Sequence, residues 1–275
     1  MNAATDPQAL AMPATSCEVG AWRHGMAARA SDIVVEEVPV ALVYNGISHA
    51  VLLASPTDLE DFALGFCLSE AILASRAELH DLEVVAGGQG IELRMTIASA
   101  AMHALKLRRR TLAGRTGCGL CGTESLEQVL RPVTPVAAGG AVQASAIHAA
   151  MRALTDRQAL HQATGAAHAA GWAGWNGELL LTREDVGRHN ALDKLVGAIV
   201  HAGLDAREGF AIVTSRASVE MAQKAACAGI GLLAAISAPT AMAVRLADQC
   251  GLTLAGFVRQ DRQLVYSHPQ RVQPG

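Results

Sequence analysis

The chain has 275 residues, of which 51% are hydrophobic and 17% are charged, and its formal net charge is −3. This length permits one large domain or two small ones with an ample core. The small negative charge argues against general nucleic-acid binding. The longest apolar run, 225–236, is well short of the ~20 residues that span a membrane, so no membrane span is predicted.

The N-terminus and the cysteines indicate where the protein resides. Met1–Ser16 contains no Lys or Arg and lacks the charged start of a secretory signal. We predict that residues 1–16 form a disordered tail. The chain has 6 cysteines, most of them isolated in the sequence, which fits a reducing compartment better than a disulfide scaffold. The expectation is a cytoplasmic protein.

The first third of the chain carries strand and turn signals. Asn45-Gly46 lies between two β-rich segments and predicts a hairpin, because both residues tolerate positive φ. The capping-box sequence Thr57-Asp58-Leu59-Glu60 predicts the start of a helix. A second strand pair is predicted at 82–85 and 91–97. We therefore predict a small α+β module over residues 17–113.

Two cysteines, Cys118 and Cys121, are separated by two residues in a glycine-rich stretch. Glycine carries no side chain that would shield a neighbouring sulfur, and it permits unusual backbone conformations. Nearby cations favour the thiolate and can lower a cysteine pKa from about 8.5 to roughly 3.5–7.5. Such cations precede and flank the pair: Lys106, Arg108, Arg109, Arg110 and Arg115. The pattern indicates an accessible, reactive thiolate, although a solvated basic loop is the alternative for the cationic cluster.

This cysteine spacing fits three kinds of chemistry. Half of a four-cysteine zinc site is one, but a closed site needs a second pair. The remaining cysteines all stand singly: Cys17, Cys67, Cys227 and Cys250. A thioredoxin-like dithiol is the second, and a thiolate that accepts and carries a sulfane sulfur is the third. We predict no metal, while spacing alone leaves the last two open.

The rest of the chain is predicted to hold a loop region and a second domain. Residues 114–140 are assigned to the CxxC loop, a following helix and a linker, and residues 141–275 to an α/β domain. Near its start, Ser145 is predicted to cap a helix that runs through Leu160. A strand at 178–182 then leads into a dense polar run.

The polar run Glu184–Lys194 lies at the predicted junction between a strand and the helix that follows it. Such junctions commonly contact ligands. His189 lies within it and is assigned to the predicted cofactor site. A salt-bridged, solvated helix start is the alternative explanation for so many charges.

From Gly209 onwards, short apolar strands alternate with helices of about three turns. The strands are predicted at 210–214, 232–236 and 252–258, and the helices at 218–228 and 240–250. This βαβαβ pattern predicts a parallel sheet covered on both faces.

Each of these three strands ends in a polar turn, at 215–218, 237–240 and 259–262. The carboxyl ends of parallel strands share one edge, so hydroxyls, helix N-termini and guanidinium groups should gather into a cradle for phosphates. Ordinary capped surface turns are the alternative. The phosphates of a nucleotide should bind this cradle. The residues assigned to it are Arg216, Ser237, Thr240, Arg259 and Arg262.

Four stretches of the chain are distinctive when they are taken together. They are Cys118-Gly119-Leu120-Cys121-Gly122, Glu184–Lys194, Ser237-Ala238-Pro239 and Leu252–Arg259. In this order they closely resemble the FdhD family of formate dehydrogenase accessory sulfurtransferases, with a similarity that runs from about Asp32 to Tyr266. The resemblance implies that sulfur is accepted from a cysteine desulfurase as a persulfide. It further implies that the sulfur passes to the molybdenum bis(molybdopterin guanine dinucleotide) cofactor of a formate dehydrogenase.

The resemblance also implies roles for particular residues. The persulfide-bearing cysteine of the family corresponds to Cys118, with Cys121 as its partner thiol. The cofactor contact of the family corresponds to Phe257-Val258-Arg259-Gln260-Asp261-Arg262. Family members commonly have glycine after Phe-Val-Arg, so Gln260 is a departure from the pattern.

The same resemblance implies a cytidine-deaminase-like three-layer core with a mainly parallel sheet, and a homodimer. Deaminase activity is not expected, because no histidine is followed two residues later by glutamate and Gly117 replaces the proline before the first cysteine. Two rival functions stay open. A dithiol oxidoreductase would need both Cys118 and Cys121, whereas a cofactor-binding chaperone would need neither.

Overall fold

The computed structural model describes residues 13–113, 133, 135–137, 139–259 and 262–274. The predicted sites at Cys118, Cys121, Gln260 and Asp261 lie outside these residues. The described α-helices are α1 (Leu59–Ser69), α2 (Ser99–Ala113), α3 (Ala144–Asp156), α4 (Ala159–Thr164), α5 (Arg188–His201), α6 (Val219–Cys227) and α7 (Ala241–Cys250). The described strands are β1 (Ala14–Arg23), β2 (Met26–Val35), β3 (Val38–Tyr44), β4 (Ile47–Ala54), β5 (Leu79–Gly87), β6 (Gly90–Ile97), β7 (Val142–Gln143), β8 (His168–Gly174), β9 (Leu179–Asp185), β10 (Gly209–Val213), β11 (Leu232–Ala235), β12 (Thr253–Arg259), β13 (Arg262–Ser267) and β14 (Val272–Gln273).

The N-terminal strands form a hairpin and a four-stranded sheet. β1 pairs with β2, and the larger sheet has the order β4-β3-β6-β5. The predicted hairpin at Asn45-Gly46 is confirmed, with φ of 47° and 79° at the two turn residues. β1 begins at Ala14, so residues 14–16 belong to a strand and not to the predicted disordered tail.

Two helix starts differ from the predicted ones. Asp58 is the N-cap of α1, but its φ is 50° and its side chain makes no capping bond, so the predicted capping box is wrong. The Thr57 hydroxyl, which that capping box requires, instead accepts from Lys194 Nζ at 3.3 Å. Ser145 lies inside α3, whose N-cap is Gln143, and that helix ends at Asp156 before α4 begins.

The second half of the chain folds around a six-stranded sheet of order β13-β12-β11-β10-β8-β9. The β10-β11 and β11-β12 pairs are parallel, which confirms the predicted βαβαβ unit. The other three pairs are antiparallel, so the prediction of a mainly parallel sheet is wrong. The physical reason is that short turns join β8 to β9 and β12 to β13, and such turns return the chain beside the strand it has just left.

The six-stranded sheet is covered on both faces. The core on one face contains buried residues of α5, α6 and α7, and the core on the other contains buried residues of α3. A separate core lies between the four-stranded sheet and helices α1 and α2. Every helix of the described chain falls short of the length and apolarity that crossing a bilayer requires.

Helices α1 and α5 join the two sheets through a very close backbone contact. A Cβ placed on Gly65 would lie 1.7 Å from the Asp193 carbonyl oxygen, and one placed on Gly197 would lie 2.0 Å from the Asp61 carbonyl oxygen. Backbone atoms cannot move aside as a flexible side chain can. The two glycines therefore set how closely the N-terminal part of the chain approaches the large sheet.

We expect Gly65→Ala to destabilise the protein by about 1–3 kcal/mol or more, because the added methyl must force α1 and α5 apart. Urea unfolding followed by circular dichroism measures this change. Gly88→Ala is the matched control, because a Cβ at Gly88 meets no atom within 4 Å. Equal stability of the two variants would contradict this packing account.

Candidate functional site

The carboxyl ends of four strands share one edge of the six-stranded sheet. β10, β11 and β12 are parallel neighbours. β9 runs in the same direction as β10, because each is antiparallel to β8. We call the residues that follow these strands, 186–189, 215–218 and 237–240, together with the tip residues 257–259 and 262, the strand-end edge.

Backbone bonds hold the turns of the strand-end edge side by side. Ala217 and Pro239 form a parallel β-bridge. Thr240 N donates to the Ala217 carbonyl oxygen at 3.0 Å, and Phe257 N donates to the Ser237 carbonyl oxygen at 3.2 Å. The predicted convergence of the three polar turns is thus confirmed.

Three helices begin at this edge, and two of them have side-chain caps. Ser218 Oγ accepts from Met221 N at the start of α6, and Thr240 Oγ1 accepts from Ala243 N at the start of α7. The first N–H groups of a helix lack intrahelical partners and carry partial positive charge. The N-termini of α5, α6 and α7 therefore make this edge attractive to anions.

Two arginines flank an aromatic ring at the tip of β12. Arg259 and Arg262 are register partners, and each guanidinium carbon lies 5.7 Å from the centre of the Phe257 ring. Phe257 has a φ of 53°, a left-handed value that costs a non-glycine residue about 1–2 kcal/mol. The strain accompanies a register irregularity between Gly256 and Arg259, which turns the tip out of the regular ladder.

The structure separates the other predicted cofactor residues into different environments. Arg216 is exposed on the edge, where its charge is open to a ligand. Ser237 contributes its carbonyl to the backbone bond described above, and Thr240 uses its hydroxyl as a helix cap. Val258 is 0% exposed and belongs to the core, so its side chain cannot contact a ligand at the edge.

His189 lies in the first turn of α5, and its Nε2 is 3.0 Å from Glu220 Oε2. Burial, and then the charge of Arg188, lower the pKa of His189. The same two causes lower the pKa of His168 on the neighbouring strand β8. Both lowered pKa values favour the neutral imidazole, and the positive charge of Arg188 contributes to both shifts.

Arg188 is a site residue that our sequence analysis did not single out. Its Nε is buried and makes no hydrogen bond to any of the described residues. Buried donors without a partner are rare in folded proteins. Arg188 lies within the polar run Glu184–Lys194, but the sequence did not distinguish it from the other charged residues there.

Much of the polar run serves to hold the start of α5 in place. Asp185 Oδ1 accepts from Gly187 N at 2.7 Å and from Asn190 Nδ2 at 3.0 Å. Asp185 Oδ2 lies 2.7 Å from Lys194 Nζ and accepts from Ser55 N at 3.0 Å. The side chains of Asp185 and Lys194 are both 0% exposed. This buried pair ties the strand-end edge to the N-terminal sheet through Ser55.

A second buried cluster joins α1, α5 and α6. Lys224 Nζ lies 2.9 Å from Asp193 Oδ1 and 2.8 Å from Glu70 Oε1. Burial lowers the pKa of Lys224, but Asp193 and Glu70 outweigh it and leave the pKa above its ordinary value. Lys224 is thus charged, and its ion pairs connect α6 to α1 and α5.

Two of the described cysteines, Cys67 and Cys250, have buried thiols and are therefore poor nucleophiles. Burial raises the pKa of Cys67 to about 12, and it also raises the pKa of Cys250. Cys67 lies 3.3 Å from the Tyr44 hydroxyl inside the N-terminal core. Within the described ranges, no three His, Cys, Asp or Glu side chains group as a metal site. The prediction that the protein binds no metal stays a prediction, because Cys118 and Cys121 lie outside these ranges.

The fold and the strand-end edge define a mixed α/β protein whose polar, cationic site lies at the carboxyl ends of its strands. Residues 35–273 match the sequence model of the FdhD/NarQ family, and the chain belongs to this family. A relative from Cupriavidus necator named "Sulfur carrier protein FdhD" is 58% identical over 255 residues, or 93% of this chain and 88% of the relative. A protein of the same name from Bordetella bronchiseptica is 55% identical over 246 residues, or 90% and 89% of the two chains. The predicted family is confirmed.

A solved structure shares the fold. The crystal structure of a Desulfotalea psychrophila protein, assigned there as a formate dehydrogenase accessory protein, matches with a TM-score of 0.76. The match covers 95% of this chain and 100% of that chain, at 23% identity. It confirms an α/β fold of this kind, whereas the likeness to cytidine deaminases stays a prediction.

Proposed function

We infer that this protein is a sulfur carrier for formate dehydrogenase. In this proposal Cys118 accepts the terminal sulfur of a cysteine desulfurase persulfide, the donor leaves as its own thiolate, and Cys121 is the partner thiol. Cys121 then displaces this sulfur from Cys118 by forming a Cys118–Cys121 disulfide, which supplies the two electrons that reduce the sulfur to sulfide. The sulfide passes to molybdenum bis(molybdopterin guanine dinucleotide), which is bound as a substrate. Membership of the FdhD/NarQ family and the names of the relatives support the sulfur-carrying part.

The observation that carries the cofactor part is the convergence of three helix N-termini with arginines at one edge. A dinucleotide cofactor presents pyrophosphate groups, and helix N–H groups and guanidinium donors recognise phosphate oxygens. Arg188, Arg259 and Arg262 would provide the charge-assisted bonds. The Phe257 ring beside two guanidiniums offers an apolar surface to a base or pterin. Guanine nucleotides such as GDP would bind as partial mimics of the cofactor.

The proposal includes further partners. A cysteine desulfurase is the donor and formate dehydrogenase the recipient of the sulfurated cofactor. The protein is proposed to act as a homodimer in the cytoplasm, where the reducing environment keeps the thiols reduced. The two partners and the homodimer follow from the resemblance to the FdhD family, and the compartment follows from the cysteine usage of the chain.

Activation of formate dehydrogenase in cells lacking their own copy of the protein tests this function. Cys118→Ala should abolish activation, because the thiolate is the nucleophile that accepts sulfur. Cys17→Ala is the matched control, since this cysteine lies on β1 at a distance in sequence from the CxxC pair, and it should support normal activation.

The rival functions predict different results in the same assay. A chaperone without sulfur chemistry would keep most of its function in Cys118→Ala/Cys121→Ala. A dithiol oxidoreductase would lose all activity with either single cysteine variant and would form no persulfide. Either result would overturn the proposed role.

A further inference from the structure

The four-stranded N-terminal sheet has one covered face and one open face. On the covered face, buried side chains of β3 and β6 pack in one core with α1 and α2. These side chains are Val40, Leu42, Tyr44, Ile91, Leu93, Met95 and Ile97. Because side chains alternate along a strand, the residues between them point away from the helices. We call this open side the outer sheet face.

One half of the outer sheet face is apolar. The register places Ala41 of β3 opposite Val51 of β4. It likewise places Pro39 opposite Leu53, and cross-strand partners share a face. Val51 is 62% exposed and Leu53 is 54% exposed. Ile47 of the same strand pairs with a buried residue of β3 and so lies on the covered side. A contiguous apolar patch therefore lies open on β3 and β4.

The other half of the outer sheet face is acidic. Glu92 on β6 is in register with Ala41 of the apolar patch. Glu83 on β5 is in register with Arg94, and Asp81 follows on the same side of β5. Arg94 lies 2.8 Å from Glu92 and 3.9 Å from Glu83. One guanidinium thus stands against three carboxylates, and the face carries a net negative charge beside its apolar patch.

The outer sheet face begins beside the strand-end edge. Leu53 O accepts from Asn190 Nδ2 at 2.8 Å, and Asn190 directly follows the edge residues 186–189. At the same junction, Val186 N donates to Ser55 Oγ at 3.1 Å. The Leu53 end of the patch therefore adjoins the site where the cofactor is proposed to bind. A protein that approaches the edge from this side meets the patch.

The charge and size of the face determine which kind of occupant fits. Carboxylates repel the phosphates of the cofactor, of nucleic acids and of anionic lipids, so the face is not an extension of the anion site. They equally disfavour a second copy docked through the same face. Four strands of seven to nine residues give an area on the order of 500 Å². Stable interfaces bury about 800 Å² per partner, so this area suits a transient protein partner.

We propose that the outer sheet face is a transient docking surface for a protein that presents apolar side chains beside lysines or arginines. Apolar contacts to Val51 and Leu53 supply the affinity, and the carboxylates steer the basic partner and fix its orientation. The inference rests on the proposed function in one respect, because the partner is the protein that receives the cofactor from the adjoining edge. Departure of that protein after delivery requires a weak contact, which so small a face provides.

Surface plasmon resonance with immobilised, cofactor-free formate dehydrogenase tests the proposal. Val51→Lys/Leu53→Lys should weaken binding roughly tenfold or more, because two charges replace the apolar contact and repel a basic partner. Ile33→Lys/Leu180→Lys is the matched control. These two side chains are 47% and 43% exposed on other strands, and this variant should bind as wild type does. All four side chains are exposed, so both variants should fold, and circular dichroism verifies this.

Removal of the carboxylates gives a second readout. Glu83→Gln/Glu92→Gln should weaken binding roughly threefold to tenfold at low ionic strength and flatten its dependence on salt, since exposed charges attract a partner through a screened field. Unchanged binding together with an unchanged salt dependence would contradict a basic partner.

Further measurements separate this surface from the proposed function. GDP binding and sulfur loading of Cys118 should not fall in Val51→Lys/Leu53→Lys, while activation of formate dehydrogenase should. Retained binding in that variant would overturn the docking surface and leave the proposed function intact. A change in its sedimentation without a change in enzyme binding would assign the face to a second copy and overturn the proposal. If wild type fails to bind formate dehydrogenase, the docking surface is wrong, and the activation assay decides separately whether the recipient role stands.

Discussion

Arg259→Ala and Arg262→Ala should each weaken GDP binding by about 1.5–3 kcal/mol, or roughly ten- to a hundredfold. Both guanidinium groups stand beside the Phe257 ring at the strand-end edge, where an anionic ligand would also meet helix N-termini. Each substitution removes a charge-assisted bond to a phosphate oxygen. Isothermal titration calorimetry with GDP measures the loss directly, and the affinity of wild type for so partial a ligand is expected to be modest.

Arg94→Ala provides the control for loss of one positive charge. Arg94 is half-exposed on β6 of the other sheet, so its removal should leave the affinity for GDP within a factor of about two by general electrostatics. Absence of GDP binding in wild type would remove the edge from the proposed function. Unchanged binding in Arg259→Ala/Arg262→Ala would do the same.

Asp185→Asn should cost about 3–5 kcal/mol of folding free energy, because it leaves the Lys194 ammonium buried without a counter-charge. Both side chains are fully buried, and Asp185 also holds the first turn of α5 through Gly187 and Asn190. Urea unfolding measures the loss. Activation of formate dehydrogenase should fall as well, since Arg188 and His189 lie in the turn that Asp185 orders.

A double-mutant cycle separates the charge from the packing. In Asp185→Asn/Lys194→Met both charges are absent, and this variant should recover a large part of the stability that either single change loses. If the double variant is as unstable as the sum of the two single variants, the pair does not interact as its 2.7 Å separation indicates.

The sequence predicted the hairpin at Asn45-Gly46 and the parallel strands after Gly209, because both depend on residues that are close together in the chain. Asn45-Gly46 predicted its hairpin because both residues accept positive φ, and the alternation after Gly209 predicted three parallel strands and their shared edge. Each of those strands is a short, buried and uninterrupted run of apolar residues, as is typical of parallel strands covered on both faces. The assignment of Arg216, Arg259 and Arg262 to one edge followed from that topology.

The antiparallel half of the large sheet had no comparable signal. β8 is rich in alanine and glycine, which read equally well as helix or loop, and its pairing with β9 and β10 depends on partners distant in sequence. Val258 was assigned to the cofactor because the family's contact stretch corresponds to residues 257–262. The alternation of a strand instead sends its side chain into the core.

The roles within the polar run also depend on tertiary contacts. Asp185 and Lys194 looked like exposed ligand contacts in the sequence, but they pair with each other and with Ser55, which lies 130 residues before Asp185. Arg188 was hidden among these charges. Only the fold separates the residues that hold the edge together from those that remain available to a ligand.

The most direct test of the sulfur-carrier role is peptide mass mapping after incubation with a cysteine desulfurase and cysteine. The account predicts that Cys118 gains about 32 Da, the mass of one sulfur, because the cationic residues near it in the sequence favour the thiolate, which is the nucleophile. Cys67 and Cys250 should stay unmodified, since burial raises the pKa of both thiols. Sulfur found on Cys227 or Cys250, together with normal loading of Cys118→Ala, would contradict the account.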